Sequence, residues 1–161
     1  MRSRLCVLTV LVLASSIAAH AQSKPVLLVN QFTLAPGVKC PYDLKILQLQ
    51  TVLELRTKES KRFEVVPDPP NTGTPAYTLQ GEILEWQPGD MATRLLVGMG
   101  AGREMAKIHY WITDAEGKKR LEYTDIIRTS LNDNVYEKST GHLARPFAVK
   151  IEKRLSGNKS L

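Results

Sequence analysis

The sequence predicts an α+β fold, an α/β two-layer sandwich in which a mixed sheet of about five strands carries two helices on one face, in the order β-α-β-β-β-β-α. Three observations lead there. Apolar and polar residues alternate along Ala76–Trp86, Ala106–Thr113 and Leu121–Leu131, the period of a strand with one buried face. Two other segments, Asp43–Lys58 and Leu143–Leu155, space their apolar residues as helices do. The first of these helices lies between two strand candidates, and a right-handed crossover of that unit makes its strands parallel.

The chain begins with a basic stretch, Met1-Arg2-Ser3-Arg4, followed by the almost wholly apolar Leu5–Leu13 and a small-residue run ending Ala19-His20-Ala21. This is the layout of a secretory signal peptide cleaved after Ala21. Its apolar run is too short for a good membrane span. The expected mature chain, residues 22–161, therefore has no transmembrane segment and is periplasmic or secreted. Its 140 residues suffice for a single domain with its own core and leave no room for a second. Loss of Arg2 and Arg4 lowers the formal charge from +6 to +4, a mild excess that favours an anionic neighbourhood without specifying nucleic acid. Cys40 is then the one cysteine left, so no intramolecular disulfide forms; the thiol either packs as a small apolar group or pairs between chains.

Along the mature chain, Val26–Thr33 opens with four apolar residues, as a strand covered on both faces does, and is expected to be central. Pro36, Gly37 and Pro41 mark a loop. Asp43 can cap a helix to about Lys58 with an apolar arc of Leu44, Ile46, Leu49, Val52, Leu53 and Leu55, while Leu47 falls on the polar side with Gln50, Glu54 and Lys58. Phe63–Val66 is a short strand, and Asp68–Pro75 a proline-rich surface loop. In Ala76–Trp86 the residues Tyr77, Leu79, Gly81 and Ile83 share a face until Leu84 and Trp86 switch sides, which places a bulge or strong twist near Ile83. Gln87–Asp90 is a turn, and Asp114–Gly117 closes a hairpin with Gly117 in the left-handed conformation. The return strand holds Leu121, Tyr123, Ile127 and Leu131 on one face. Leu143, Phe147, Ile151 and Leu155 recur every four residues, and Pro146, at ease only in a first turn, puts the helix start near Arg145. The tail after Ser156 is expected to fray.

The stretch Arg94–Asp114 is the most distinctive. Were it extended throughout, Gly98, Gly100 and Gly102 would project to one side and leave bare backbone there. Two readings follow. In one, the glycines are a packing device, with an aromatic such as Trp86 or Trp111 lying across the gap. In the other, successive N–H groups form a nest for an anion, with Arg103 adding charge. Arg94, Gly98, Gly100, Gly102 and Arg103 are accordingly the candidate ligand- or partner-contact residues. The dinucleotide fingerprint is excluded, because Arg103 stands where its third glycine belongs and a strand pattern follows; no Gly-Lys-Ser or Gly-Lys-Thr phosphate loop occurs.

The run Ala76-Tyr77-Thr78-Leu79-Gln80-Gly81-Glu82-Ile83, then Pro88-Gly89, Arg94, Gly98-Met99-Gly100-Ala101-Gly102, and Asp114 with Gly117 resembles the bacterial domain-of-unknown-function 4410 family, across about Val26 to Leu155. The resemblance implies an exported or lipid-anchored envelope protein and no known reaction, ligand or catalytic residue. A lipid-anchor cysteine is missing here, since Cys6 stands at the start of the leader and not at a cleavage point.

The residues assemble no catalytic set. Cys40 with His109 or His142 would be the nucleophilic pairing, and Asp68, Glu82 or Asp125 the carboxylates, but nothing in the spacing brings them together. Two histidines and one cysteine far apart supply no metal site. Lys150, Lys153 and Arg154 line the polar side of the last helix, a solvated face or a contact for anionic lipid or glycan. Nucleic acid is disfavoured, as the few aromatics are not interleaved with basic runs. The expectation is a non-enzymatic periplasmic binding or assembly module without cofactor, meeting an envelope protein partner at a sheet edge or at the glycine stretch. The alternative is a carrier or sensor of a small anionic or lipidic ligand.

Overall fold

A computed structural model describes residues 24–40, 43–71, 73–90, 96, 102–129 and 140–158. Its strands are β1 (Val26–Val29), β2 (Thr33–Leu34), β3 (Glu64–Val66), β4 (Tyr77–Gln87), β5 (Met105–Asp114) and β6 (Lys119–Arg128). The helices are α1 (Leu44–Lys58) and α2 (Ala144–Gly157), the latter entered through a 3-10 turn at Thr140–Leu143. One open mixed sheet runs β3-β1-β4-β5-β6, with β2 beside β4. β1 is parallel to both β3 and β4, whereas β4, β5 and β6 form an antiparallel meander.

The central position expected of the first strand is observed, but that strand breaks in two. Between β1 and β2 the chain turns Phe32 into the core, where it is 2% exposed. Gly81 makes room for it: a Cβ there would sit 2.8 and 3.0 Å from two atoms of the Phe32 ring. Phe32 then meets Phe147 edge-on at 5.5 Å, and Phe147 meets Tyr110 in the same way at 5.1 Å. The expected irregularity in β4 is a register shift between Ile83 and Glu85. Gly117 takes its left-handed conformation, φ +79°, in the β5–β6 turn.

Asp43 caps α1 as predicted, its side chain accepting from the N–H of Lys45 at 2.8 Å. The buried face of α1 differs from the predicted arc. Leu47 is fully buried, whereas Ile46, Leu49 and Leu53 are 39%, 40% and 52% exposed. The reason is Gln48, a polar residue at a core position. Its Nε2 donates to the carbonyls of Val29 (2.6 Å) and Pro67 (2.8 Å), tying the chain just past β1 and β3 to the helix. That anchorage rotates Leu47, Thr51, Val52 and Leu55 inward, and apolar periodicity alone carries no trace of it. In α2 the predicted stripe holds: Leu143, Phe147, Ile151 and Leu155 are all buried, with Pro146 in the first turn.

Both helices start at the end of the sheet where β1, β4 and β6 finish and β5 begins, so the segments on either side of residues 91–101 and 130–139 converge there. On the face beneath the helices lie Leu79, Ile83, Ala106, Ile108, Tyr110 and Ile112, each at 0% exposure. No described helix covers the opposite face of the sheet, although Leu28 of β1 is buried there.

Candidate interaction surface

The two edges of the sheet are unequal. β3 has three residues, and its Val65 carbonyl is occupied by Arg56 Nε at 2.7 Å, so a short edge is partly closed by a helix side chain. β6 has ten residues. The pairing pattern fixes which of its groups are outside. Thr129 N–H donates to the Glu104 carbonyl at 3.1 Å, which makes Glu104–Thr129 a hydrogen-bonded pair of the ladder. Bonding alternates along an antiparallel pair, so Ile127, Asp125, Tyr123 and Leu121 turn their backbone groups towards β5. Arg128, Ile126, Thr124 and Glu122 turn theirs away. Asn158 Nδ2, donating to the Arg120 carbonyl at 2.9 Å, agrees with this alternation and covers the start of the edge. Beyond Arg120, no described strand or helix lies along the outer side of β6.

Beneath this edge sits a buried polar centre. Tyr110 Oη donates to Asp125 Oδ2 at 2.8 Å, and Arg154 Nη2 donates to Asp125 Oδ1 at 3.1 Å. Lys150 Nζ lies 4.0 Å from the same oxygen, and the Arg154 guanidinium stacks 4.2 Å over the Tyr123 ring. Burial penalises a charged Asp125, yet the hydrogen bonds from Arg154 and Tyr110, helped by the charges of Arg154 and Lys150, hold the carboxyl below its ordinary range. Burial, then the Asp125 hydrogen bond, pushes the Tyr110 hydroxyl well above the tyrosine range, so it acts here as a neutral donor. Sequence patterning assigned Arg154 to a solvated face or a contact for anionic lipid or glycan, and Asp125 to the generic carboxylates. The available signal was Asp125 standing between Leu121 and Ile127 on an inward-facing strand period: a charge in a core position demands a partner.

The open sheet face carries cross-strand pairs. Lys107 meets Glu85 at 3.0 Å between β5 and β4, and Glu122 receives His109 Nε2 (3.0 Å) from β5 as well as Lys119 Nζ (2.6 Å) from its own strand. The Lys119 hydrogen bond is the main reason that the Glu122 carboxyl lies below its ordinary range. Trp111 is flanked by the His109 ring at 5.1 Å and by Lys119 Nζ at 5.5 Å, so it does not present a clear stacking surface.

Of the predicted contact residues, Arg94, Gly98 and Gly100 lie outside the described residues. Gly102 does not extend the strand: its φ is +66°, and β5 begins only at Met105. The left-handed turn at Gly102 follows from its job, since its carbonyl accepts the Asp90 N–H at 2.9 Å and draws together the two ends of the intervening segment. Next to it, Glu104 is buried and accepts Trp86 Nε1 at 3.1 Å, which braces this base against β4. Arg103 Nε is shielded from solvent and finds no acceptor among the described residues. Aromatic-over-glycine packing is seen at Gly81, beneath Phe32. Among the described residues, no cluster of three or more His, Cys, Asp or Glu is arranged to hold a metal ion, and no helix is long and apolar enough to cross a membrane. Cys40 is half-buried.

The family model described as "Domain of unknown function (DUF4410)" matches residues 42–132, more than half of the chain. The protein belongs to the DUF4410 family. That match spans α1, the meander and the glycine segment, and so includes the residues from Ala76 to Gly117 on which the sequence resemblance rested. A search of curated proteins finds no relative for this DUF4410 chain. Its fold is similar to that of the PelC dodecamer from Paraburkholderia phytofirmans, at a TM-score of 0.54 and 12% identity over 80% of this chain and 86% of that one. It is also similar to the hypothetical protein CT253 from Chlamydia trachomatis, at a TM-score of 0.54 and 12% identity over 84% of this chain and all of that one. At such identities the likeness is one of fold.

Proposed function

We propose that this DUF4410 protein is a non-enzymatic assembly module of the bacterial envelope, periplasmic or secreted, that takes up a strand of another polypeptide along β6. The observation that carries the proposal is the outer side of β6, where Glu122, Thr124, Ile126 and Arg128 direct N–H and C=O groups away from the sheet. Such an edge is a template for strand addition, and proteins that do not use one usually shorten or cover it, as happens at β3. The PelC relative in fold is a dodecamer, which adds an assembling example of this architecture. The basic, signal-like leader supports export.

The carrier alternative has weaker support. The described cavity beside α2 has a volume of about 260 Å³ and is lined by Tyr123, Lys153, Arg154, Gly157 and Asn158. Arg154 is already committed to Asp125, and the cavity sits at the C-terminal end of α2, where the helix dipole opposes an anion.

The test is native mass spectrometry of the protein isolated gently from its host's envelope fraction, as wild type and as Ile126→Pro. Proline fits an edge position whose N–H points outward, but it removes a donor and blocks an incoming strand. The proposal expects a second polypeptide or further copies with the wild type and their loss in the folded variant. An assembly that survives Ile126→Pro would overturn the assignment to β6, and a bound small mass in its place would favour the carrier.

A further inference from the structure

The charge of this protein is concentrated in its helical layer. α1 and α2 together hold seven lysines and arginines against two acids, Glu54 and Glu152, a balance of +5. Outside the leader the whole chain carries only +4, so everything that is not α1 or α2 sums to −1. Glu152 cancels Lys58, to which it is paired at 3.2 Å, and Arg154 and Lys150 face Asp125, so the outward positive charge rests chiefly on exposed Arg145 and Lys153. The sheet's open face, by contrast, sets acids beside its bases: Glu85 beside Lys107 and Glu122 beside Lys119.

Apolar groups are exposed in the same layer. Ile46, Leu49 and Leu53 repeat at three- and four-residue spacing on α1 and point away from the core. Exposed Arg56 and half-buried Lys45 flank that stripe. On α2, Arg145, Val149 and Lys153 fall in line at four-residue spacing, and all three are exposed, Val149 by 46%. Aliphatic residues between long cationic side chains, on helices lying flat on a sheet, have the composition of an interfacial surface: the aliphatic groups reach the acyl boundary while lysine and arginine stay at headgroup level. A second copy presenting the same layer would set one net-positive face against another, which argues against self-association through it.

We infer that the outer face of α1 and α2 docks on an anionic phospholipid surface, leaving the open sheet face and the β6 edge turned towards other proteins. This docking is independent of strand addition at β6, and either can fail without the other.

Co-sedimentation of the folded mature protein with phosphatidylcholine vesicles, with and without about 30 mol % phosphatidylglycerol, tests the inference. Binding is expected only to the anionic vesicles, falling about tenfold or more in high salt. The exposed double variant Arg145→Glu/Lys153→Glu should lose at least tenfold in apparent affinity, and Leu49→Ser/Leu53→Ser should bind weakly even at low salt. Lys118→Glu, in the β5–β6 turn, controls for a charge reversal off the helical layer and should bind much as the wild type does. Failure to bind anionic vesicles, equal binding to neutral ones, or a double charge reversal no weaker than Lys118→Glu would overturn the inference. So would a wild-type oligomer that Leu49→Ser/Leu53→Ser converts to monomer without lipid, because the stripe would then be covered by a second copy.

Discussion

Replacing Gly81 by alanine tests the packing beneath the sheet. Alanine in place of glycine inside a strand ordinarily stabilises by a few tenths to about 1 kcal/mol, because the unfolded chain loses freedom. Here the added methyl would lie 2.8 and 3.0 Å from the Phe32 ring and 3.3 Å from the His109 carbonyl oxygen. Neither neighbour yields easily: Phe32 is 2% exposed and wedged against Phe147, and the His109 oxygen belongs to a central strand. Overpacking of this kind costs about 1–3 kcal/mol, enough to reverse the usual sign. The expected outcome is a fall in Tm of roughly 3–12 °C, followed by circular dichroism and confirmed by urea titration. In a double-mutant cycle, Phe32→Leu should relieve the clash, so the pair should cost about 1 kcal/mol less than the two single changes summed. A Gly81→Ala protein as stable as the wild type, or strictly additive costs in the cycle, would refute the packing argument.

Asp125→Asn removes the charge that Arg154 and Lys150 neutralise and should destabilise by about 1.5 kcal/mol at pH 7, at the low end for a charged hydrogen bond because Arg154 is a third exposed. The Asp125 carboxyl is held below its ordinary range, so its contribution is present above the unfolded-state pKa and is lost as pH falls through the folded one; urea titrations of wild type and variant should converge in acid. Glu59 behaves oppositely: burial raises its carboxyl pKa, with Arg62 opposing that shift and Glu152 adding to it, so the folded state favours the protonated form. Its contribution is present in acid and lost as pH rises through the folded pKa, and Glu59→Gln should therefore melt above the wild type at pH 7 and level with it near pH 3. Finally, neighbouring prolines should separate edge from ladder: Ile126→Pro leaves far-ultraviolet circular dichroism intact, whereas Ile127→Pro, which deletes the bond to Ala106 at a residue 1% exposed, unfolds the sheet.

The layers, the element order and most boundaries were legible in the sequence because each rests on a local periodicity. The four-residue stripe of α2 and the face switch near Ile83 are of that kind. What misled was long-range. The face that α1 buries depends on Gln48 reaching carbonyls on either side of the helix's own segment, so an arc drawn through Leu44, Ile46, Leu49, Val52, Leu53 and Leu55 put Leu47 outside and Leu53 inside. Likewise, the close contact at Gly81, where a Cβ would meet the Phe32 ring, joins residues far apart in sequence and leaves no local periodic signal. The β6 edge was foreseen only as one of the sheet's edges. Its identity follows from strand order, and its outward-facing groups from one hydrogen bond, Thr129 to Glu104.

Amide hydrogen exchange along β6, resolved by residue, tests the central claim most directly, in the protein alone and in the assembly isolated from the envelope. Strand addition predicts that the amides of Glu122, Thr124, Ile126 and Arg128 exchange freely in the isolated protein and slow at least about tenfold in the assembly, while those of Tyr123, Asp125 and Ile127 are protected in both. An intact assembly in which the outward-facing amides exchange as fast as in the protein alone would contradict it.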